Sequence, residues 1–396
     1  MATPAALHVV VVGGGVMGAA TACFLARDQG AAVTVLERDP LYTRASSALS
    51  ASSIRVQFST PVNIALSRWS LAFLRRVGDE LAAGGERPQL GLVEPGYLTL
   101  ATAEGAAALH ANHAVQRAHG AAVALLDRPA LQARYGWLHA DDLAAGALGL
   151  STAGSGEGWF DGPALMQALR RKAIACGARF VGAEVVGFDS VAERVAAVVT
   201  ADGTRWPGDA FVLAAGAWSA PLAAQLGVGL PVRARKRDVF VFDSPAALPG
   251  CPLVVDPCGL WFRPEGRGYL CGAPPRGADP DEPPLEAIDH GLFDEVIWPA
   301  LAHRVPAFAA LRLHAAWAGY YEMNLHDHNG LAGALPGWAN AYTACGFSGH
   351  GMQQAPAVGC ALAALVAGGT SDAPDLAPLS PARLARGEAL VERCVI

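Results

Sequence analysis

The chain has 396 residues, which is long enough for two domains. Charged residues make up 16% of it and hydrophobic residues 52%, a composition that excludes a disordered protein and predicts a large apolar core. The net charge is −6 and the basic residues are scattered, so nucleic acid is excluded as a partner.

One short basic cluster, Arg233, Arg235, Lys236 and Arg237, has the alternation expected on the polar face of a strand. The longest uncharged apolar stretch, 355–369, is too short to span a bilayer. The sequence runs directly into an apolar strand without a basic targeting segment, and its eight cysteines lack paired metal spacing. We therefore predict a cytoplasmic protein with reduced cysteines and no membrane span.

Residues 6–38 contain an apolar strand, a glycine turn, an alanine-rich helix and a second strand that ends at Glu37. Gly13, Gly15 and Gly18 fit G-x-G-x-x-G in the setting that this motif requires. The turn predicts a diphosphate at the helix N-terminus. Glu37 is placed to accept from both ribose hydroxyls and to repel a 2′-phosphate, which makes NADP an unlikely ligand. FAD and NAD both remain possible on these residues alone.

A run of small residues, 44–53, follows and is predicted to contact the ligand. Arg55 comes directly after it and is a candidate for the flavin or substrate edge. Pro61 is predicted to begin an amphipathic helix that ends near Glu80, and Asp161 is predicted to cap another helix.

The apolar segment 210–216 reads as a buried strand of the same parallel sheet as the first two, so the nucleotide domain is predicted to be discontinuous. Several short segments between 239 and 322 then read as antiparallel strands. In one of them Trp261 and Arg263 alternate with Phe262 and are expected to share a face.

The last block clears space for a flat ligand with Gly346, Gly349 and Gly351. Pro356 fits the first turn of an apolar helix over 355–369. The dipole of this helix would stabilise an anion at its N-terminus, such as the N1–C2 carbonyl region of a reduced flavin.

Five segments together resemble one family: the strand–turn–helix–strand of residues 6–38, SIRVQFSTPVNIALS, FVLAAGAWS, WAGYYEMNLHDHNGLAG and GFSGHGMQQAPAVGCALAALV. They are similar to the D-amino-acid-oxidase superfamily of FAD-dependent oxidoreductases, and the likeness covers nearly the whole chain. Within it, the sequence most resembles the branch of sarcosine and dimethylglycine oxidising enzymes and the related flavoprotein that serves complex I assembly.

The resemblance implies an α/β fold: a Rossmann-type FAD-binding domain of the GR2-like kind with an inserted antiparallel-sheet α+β substrate domain. We assign residues 1–89, 151–228 and 323–396 to the FAD-binding domain. The substrate domain is assigned residues 90–150 and 229–322.

The resemblance also implies which residues hold FAD. The expected contacts are Gly13, Gly15, Val16, Met17, Gly18, Glu37, Arg38, Ser46, Ser47, Val185, Ala215, Gly216, Trp218, Gly346, Phe347, Gly349, His350, Gly351, Met352 and Gln353.

The residues expected at the substrate, implied by the same likeness and by the strand pattern, are Arg55, His350, Gln353, Tyr321, Trp261 and Arg263. Trp261 and Tyr321 have plain core packing as an alternative, and Arg263 a surface ion pair. The run 326–328, His-Asp-His, reads as a solvated turn rather than a metal site, and no metal is predicted.

Departures from the family pattern refine these expectations. The segment 320–322 lacks the cysteine that attaches FAD in monomeric sarcosine oxidases, so we predict non-covalent FAD. Gln353 and Phe58 stand where those enzymes carry cations for the substrate carboxylate. Leu270 stands where a lysine speeds the reaction with oxygen, which predicts slow oxidase turnover and a different electron acceptor.

The predicted function is FAD-dependent oxidation of the C–N bond of a small amine, N-alkyl amino acid or D-amino acid, by hydride transfer to flavin N5 followed by hydrolysis of the imine. The partners are then the amine or amino-acid substrate and O2 or another electron acceptor. Two alternatives stay open: a 2-hydroxy-acid dehydrogenase with His350 as its base, and a flavoprotein that assists assembly without turnover.

Overall fold

The computed structural model describes residues 6–394. Its strands in chain order are β1 (His8–Val12), β2 (Ala32–Glu37), β3 (Ser53–Ile54), β4 (Tyr97–Ala101), β5 (Val123–Asp127), β6 (Ala145–Gly149), β7 (Gly158–Trp159), β8 (Arg179–Gly182), β9 (Val185–Val191), β10 (Arg194–Thr200), β11 (Arg205–Pro207), β12 (Ala210–Leu213), β13 (Val232–Asp243), β14 (Leu253–Val255), β15 (Trp261–Glu265), β16 (Gly268–Gly272), β17 (Arg312–Asn324), β18 (Leu331–Ala334) and β19 (Ala341–Cys345).

The α-helices are also numbered in chain order. They are α1 (Val16–Asp28), α2 (Pro61–Arg75), α3 (Val77–Glu80), α4 (Ala103–Ala118), α5 (Arg128–Arg134), α6 (Gly162–Ala175), α7 (Ser219–Gln225), α8 (His290–Leu292), α9 (Trp298–Arg304), α10 (Gly351–Ala367) and α11 (Ala382–Ala385).

The first sheet has six strands in the order β18-β19-β12-β1-β2-β8. Every neighbouring pair is parallel except β18–β19. β1 and β12 are apolar and almost wholly buried, as parallel strands covered on both faces must be. The glycine fingerprint therefore sits, as predicted, in a Rossmann-type sheet.

Two helices that carry the glycine turns pack against each other. α1 contacts both α6 and α10. At the α1–α10 contact a Cβ on Gly359 would lie 2.6 Å from the Cβ of Ala20, so the two backbones approach as closely as small residues allow. This contact fixes the N-termini of α1 and α10 relative to each other.

The second large sheet has eight strands in the order β17-β13-β16-β15-β14-β4-β6-β5. Its strands are antiparallel except for the pair β14–β4, which joins the two stretches of chain that build the sheet. An aromatic core that includes Phe240, Phe242, Phe262 and Phe308 covers it. The sheet matches the expected substrate-domain fold, and the residue boundaries of the two domains stay a prediction.

The structure corrects the start of the last long helix. α10 begins at Gly351, so Pro356 lies inside the helix and not in its first turn. Proline removes the bond to the carbonyl of Met352, four residues earlier. Nearly every residue of α10 is buried, and this packing outweighs the loss of one bond. Gly368, with φ of 65°, ends the helix in the left-handed conformation.

The turn at 326–328 is also corrected, because its central residue is not solvated. The Asp327 carboxylate is buried and accepts from Arg383 Nε at 3.0 Å. It also accepts the backbone N–H of Leu390 at 2.9 Å. The sequence pattern missed this role since both donors come from a later part of the chain.

Within residues 6–394, no helix is long and apolar enough to cross a membrane. All eight cysteines lie within the described residues, and no two of them are bonded to each other there. Arg235 and Arg237 of the basic cluster pair with Asp281 and Asp279, at 3.0 Å in both cases.

Candidate functional site

A cavity of about 720 Å³ is lined by both glycine turns. Gly13 and Gly15 follow β1, whereas Gly349 and Gly351 precede and begin α10. The two turns are far apart in the chain, but β12 pairs in parallel with both β1 and β19. The carboxyl ends of parallel strands meet at one edge, so the sheet brings the two turns to the same cavity.

The first turn has the geometry that its glycines predict. Gly13 has φ of 97°, and a Cβ there would lie 2.5 Å from the carbonyl oxygen of Ala214. A Cβ on Gly18 would lie 1.9 Å from the carbonyl oxygen of Gly13. Gly18 therefore does not line the cavity but lets α1 pack directly on the turn.

Two side chains hold this turn in place. Glu37 accepts the N–H of Gly14 at 2.7 Å and, through its other oxygen, the N–H of Asp39 at 2.9 Å. The Ser47 hydroxyl accepts the N–H of Val16, the first residue of α1, at 2.9 Å. The N–H of Val16, which was expected to be available to a diphosphate, is thus already hydrogen-bonded to Ser47.

At one end of the cavity an arginine lies over the ring of a tryptophan. The Arg38 guanidinium lies 3.9 Å from the ring centroid of Trp218. Val185 and Gly216, with φ of 56° at the glycine, line the cavity beside them. A guanidinium over an indole provides a flat surface that suits a planar base, and the placing of FAD along this end of the cavity stays a prediction.

The second turn lies against an aromatic ring. Gly349 has φ of 94°, and a Cβ there would lie 2.3 Å from the ring of Tyr321. Glycine is therefore required for Tyr321 to reach the cavity wall. Gly346 and Phe347, which were predicted to contact the cofactor, do not line the cavity.

Arg55 lines the cavity, but its guanidinium is already engaged. It donates to the carbonyl of Gln57 at 2.6 Å and to the carbonyl of Cys394, and it lies 4.0 Å from the ring centroid of Phe58. Its backbone N–H donates to Gln353 Oε1 at 2.7 Å. These contacts favour a positioning role over direct contact with a ligand.

His350 does not line the cavity, in contrast to its predicted place beside the substrate. Its side chain is buried, its ring meets the edges of Phe58 and Phe347, and neither ring nitrogen has a hydrogen-bond partner within residues 6–394. Burial and the nearby Arg55 lower the pKa of His350. The ring is therefore neutral and packs against Phe58 and Phe347 instead of the cavity. A sequence motif does not show to which side of the turn a side chain points.

The remaining predicted substrate residues meet at one part of the wall. Trp261, Arg263 and Tyr321 all line the cavity, so Trp261 and Arg263 do share a face. Arg263 does form an ion pair, with the half-exposed Glu265, but Arg263 itself is only 4% exposed, so the pair does not lie wholly at the surface. Its Nε–H has no partner within the described chain.

In all, most of the predicted contacts line the cavity. They are Gly13, Gly15, Val16, Met17, Glu37, Arg38, Ser46, Ser47, Arg55, Val185, Ala215, Gly216, Trp218, Trp261, Arg263, Tyr321, Gly349, Gly351, Met352 and Gln353.

One acidic residue that was not among the predicted site residues, Glu322, also lines the cavity. Glu322 accepts the N–H of Phe347 at 3.2 Å, and its two oxygens lie within 4 Å of Cβ positions built on Gly216 and Gly351. Within the described chain it has no basic partner. The available signal was the one acidic residue of β17, in the segment 320–322 that the sequence analysis considered only for its lack of a cysteine.

The acidity of Glu322 gives a testable pH dependence. Burial raises the pKa of Glu322 to about 7 from 4.5. The contribution of Glu322 to the free energy of unfolding is therefore fully present below pH 4.5 and is lost as the pH rises through about 7, a loss of about 1 to 3 kcal/mol. In Glu322→Gln this loss is expected to disappear. Urea unfolding of both proteins at about pH 5 and about pH 8 measures it.

The exposed Glu388, which pairs with Arg386, offers a matched control. Glu388→Gln is expected to keep the pH dependence of the parent protein. Equal losses of unfolding free energy in the parent and in Glu322→Gln would contradict the assignment.

Three potential metal ligands, His139, Asp142 and His303, lie close together away from the cavity wall. Arg304 donates to both Asp142 oxygens, at 2.8 and 2.9 Å. A guanidinium bound to the shared carboxylate opposes a metal cation. The cluster is better described as an ion pair flanked by two histidines.

The comparisons with known proteins identify the family. The family model for FAD dependent oxidoreductase (DAO) matches residues 8–365. The chain belongs to this family. It is 40% identical over 434 residues to the FAD-dependent oxidoreductase domain-containing protein 1 of Bos taurus, covering 99% of this chain and 88% of that protein.

The fold is similar to those of two solved structures. The glycine oxidase of Geobacillus kaustophilus is 29% identical in sequence over 381 residues, covering 95% of this chain and 96% of that protein. Its crystal structure matches with a TM-score of 0.80 over 94% of this chain and 98% of that chain. L-proline dehydrogenase from P. horikoshii matches with a TM-score of 0.84 at 24% identity, covering 98% of this chain and all of the other.

The chain is thus an FAD-dependent oxidoreductase, and its cavity suits FAD. The volume of about 720 Å³ lies within the range of about 300–1,000 Å³ typical of ligand sites. The first glycine turn exposes its backbone to the cavity, where a diphosphate could approach it. The first residues of α1 and α10 both line the cavity as well. Within residues 6–394 no cysteine lines it, and non-covalent binding stays a prediction.

Proposed function

We propose that the protein oxidises the C–N bond of a small amine or amino acid. The observation that carries this proposal is the composition of one part of the cavity wall. Tyr97, Tyr321 and Trp261 supply aromatic surface there, and Arg237 and Arg263 supply positive charge. The Arg237 guanidinium lies 5.4 Å from the ring centroid of Tyr321.

This wall selects the reactive form of an amine. Removal from water among these side chains disfavours the charged ammonium form and favours the neutral amine. The aromatic rings can hold the apolar part of the molecule and exclude water. Bound FAD would supply the oxidant by accepting hydride from the carbon next to nitrogen. Water then hydrolyses the resulting imine to a carbonyl compound.

Names of relatives support the same class of substrate. The solved relatives include a glycine oxidase and an L-proline dehydrogenase, both named for amino acids. For oxidation of a 2-hydroxy acid, the base considered above was His350, and that ring does not line the cavity. We therefore favour the amine.

The proposed electron acceptor is a molecule other than oxygen. Leu270 is buried in β16 at the place where the resemblance expects a lysine that speeds the oxygen reaction. An oxygen electrode should record slow turnover that an artificial acceptor dye accelerates.

The test is anaerobic bleaching of the purified yellow protein. Glycine, sarcosine, D-alanine, L-proline and lactate are added separately, and the visible absorbance of the flavin is followed. At least one amine is expected to bleach it and lactate is not. If dithionite bleaches the flavin while no amine does, the proposal fails and the assembly role without turnover gains support.

A pair of tryptophan variants links the bleaching to the wall. Trp261→Ala removes an aromatic surface of the cavity and should slow bleaching at least about tenfold. Trp298→Ala changes an exposed residue outside the cavity and should leave the rate unchanged. Equal rates in the two variants would contradict the assignment of this wall to the substrate.

A further inference from the structure

The segment Leu390–Cys394 forms part of the cavity wall. Val391, Glu392 and Arg393 line the same cavity as the two glycine turns. Two backbone N–H groups hold the segment to the 326–328 turn: that of Leu390 donates to the Asp327 carboxylate at 2.9 Å, and that of Glu392 donates to the Asp327 carbonyl at 3.0 Å.

Glu392 anchors the segment at the start of α2. Its carboxylate is 1% exposed and accepts from the N–H and hydroxyl of Ser59, at 2.8 and 2.6 Å. It also accepts from the hydroxyl of Thr60 at 2.8 Å and from the amide of Asn63 at 3.0 Å. A negative charge at a helix N-terminus is stabilised by the helix dipole, so this contact is a strong attachment.

The acidity of Glu392 agrees with this attachment. Burial alone would raise its pKa, but the hydrogen bonds from Ser59 and Asn63 outweigh burial and hold the pKa well below its usual range. Glu392 is therefore ionised at neutral pH, and the anchor is in place there.

Other guanidinium groups near this part of the wall are already engaged. Arg55 binds the carbonyls of Gln57 and Cys394, and Arg237 binds both oxygens of Asp279 at 3.0 Å. Arg263 binds Glu265 and donates to the carbonyl of Ala51 at 2.7 Å.

Arg393 differs from these three residues. Its backbone N–H donates to the Ser59 hydroxyl at 2.8 Å, which places the residue directly beside the anchor. Arg393 is an exposed residue of the cavity lining, and its guanidinium makes neither a hydrogen bond nor an ion pair with any residue of 6–394. The chain thus carries an uncommitted arginine at the cavity wall, on a segment that a buried carboxylate holds in place.

We propose that Arg393, positioned by the Glu392 anchor, determines specificity by binding a carboxylate group of the substrate. This inference rests on the proposed function and narrows the substrate from amines in general to amino acids. Arginine suits the role because its planar fork can donate two parallel hydrogen bonds to a carboxylate. It also explains how a chain with Gln353 and Phe58 in place of the expected cations could still recognise an amino acid.

Binding of an unreactive carboxylate tests the inference without turnover. Benzoate is titrated into the FAD-loaded protein, and the change in the visible spectrum of the flavin gives its Kd; benzamide serves as the uncharged comparison. Arg393→Gln is expected to weaken benzoate at least about tenfold and to leave benzamide unchanged. Arg393→Lys should recover part of the affinity, because it keeps the charge.

Arg386→Gln is the matched control, since Arg386 is an exposed arginine of the same region that lies outside the cavity. It should bind benzoate as the parent protein does. Glu392→Gln should weaken benzoate as Arg393→Gln does, while the ratio of visible to ultraviolet absorbance shows that FAD is retained.

Three results would overturn the inference: unchanged benzoate affinity in Arg393→Gln, equal losses of benzoate and benzamide, or a parent protein that does not distinguish the two. Its failure differs from failure of the proposed function. If amino acids bleach the flavin of the parent protein and of Arg393→Gln at the same concentrations, only the role of Arg393 is lost. If no amine bleaches either protein, the proposed function itself fails.

Discussion

Replacing Gly13 with alanine is expected to yield a protein that purifies without flavin. The backbone at Gly13 has φ of 97°, a conformation that costs a residue with a side chain about 1 to 3 kcal/mol. The new Cβ would also lie 2.5 Å from the carbonyl oxygen of Ala214, the residue directly after the neighbouring strand β12. The turn must move away from the sheet, and the approach to a diphosphate is lost. The ratio of visible to ultraviolet absorbance after purification measures bound FAD.

Gly229→Ala is the control for this substitution. Its Cβ would meet no atom within 4 Å, and its backbone does not have positive φ. This variant should retain a full complement of FAD. A Gly13→Ala protein with normal flavin content would contradict the assignment of this turn to the cofactor.

Replacing Arg383 with methionine is expected to lower the free energy of unfolding by about 3 to 5 kcal/mol. The side chains of Arg383 and Asp327 are 4% and 0% exposed and lie 3.0 Å apart. The substitution leaves a buried carboxylate without its cation, which costs far more than an exposed pair would. Because Asp327 also holds Leu390, we expect the segment Leu390–Cys394 to loosen as well. Equilibrium unfolding in urea provides the measurement.

A double-mutant cycle separates the ion pair from loss of packing. Asp327→Asn combined with Arg383→Met should destabilise the protein less than the sum of the two single changes. Arg386→Met, which breaks an exposed pair with Glu388, should leave the free energy of unfolding nearly unchanged. Strictly additive effects of the two buried substitutions would show that the pair makes no energetic contribution of its own.

The cofactor half of the site was predictable because local chain geometry produces it. A strand, a glycine turn and a helix lie within one continuous segment, and its glycines mark positions where the backbone conformation or a close approach leaves no room for a side chain. Gly13 and Gly18 meet the neighbours that those constraints require. The second turn was predictable for the same reason, although the start of α10 was placed too late because Pro356 was taken as a first-turn residue.

The substrate half was predicted less well, since it depends on which side chains already have partners. Arg55 and His350 stand at the expected positions in the chain, but one is bound to carbonyl groups and the other is buried outside the cavity. Glu322 was overlooked because a single acidic residue in a strand forms no motif with a distinctive spacing.

The sequence by itself determined that two glycine turns frame a dinucleotide site, that the fold is a Rossmann-type sheet with a second mixed sheet, and that the family is that of FAD-dependent oxidoreductases. These features depend on contiguous residues, in which the period of the hydrophobic residues and the positions of the glycines indicate the backbone conformation. Only the tertiary structure decided which cations remain available to a ligand and that Leu390–Cys394 belongs to the wall. Such facts depend on hydrogen bonds between residues hundreds of positions apart, as between Glu392 and Ser59, and no local pattern records them.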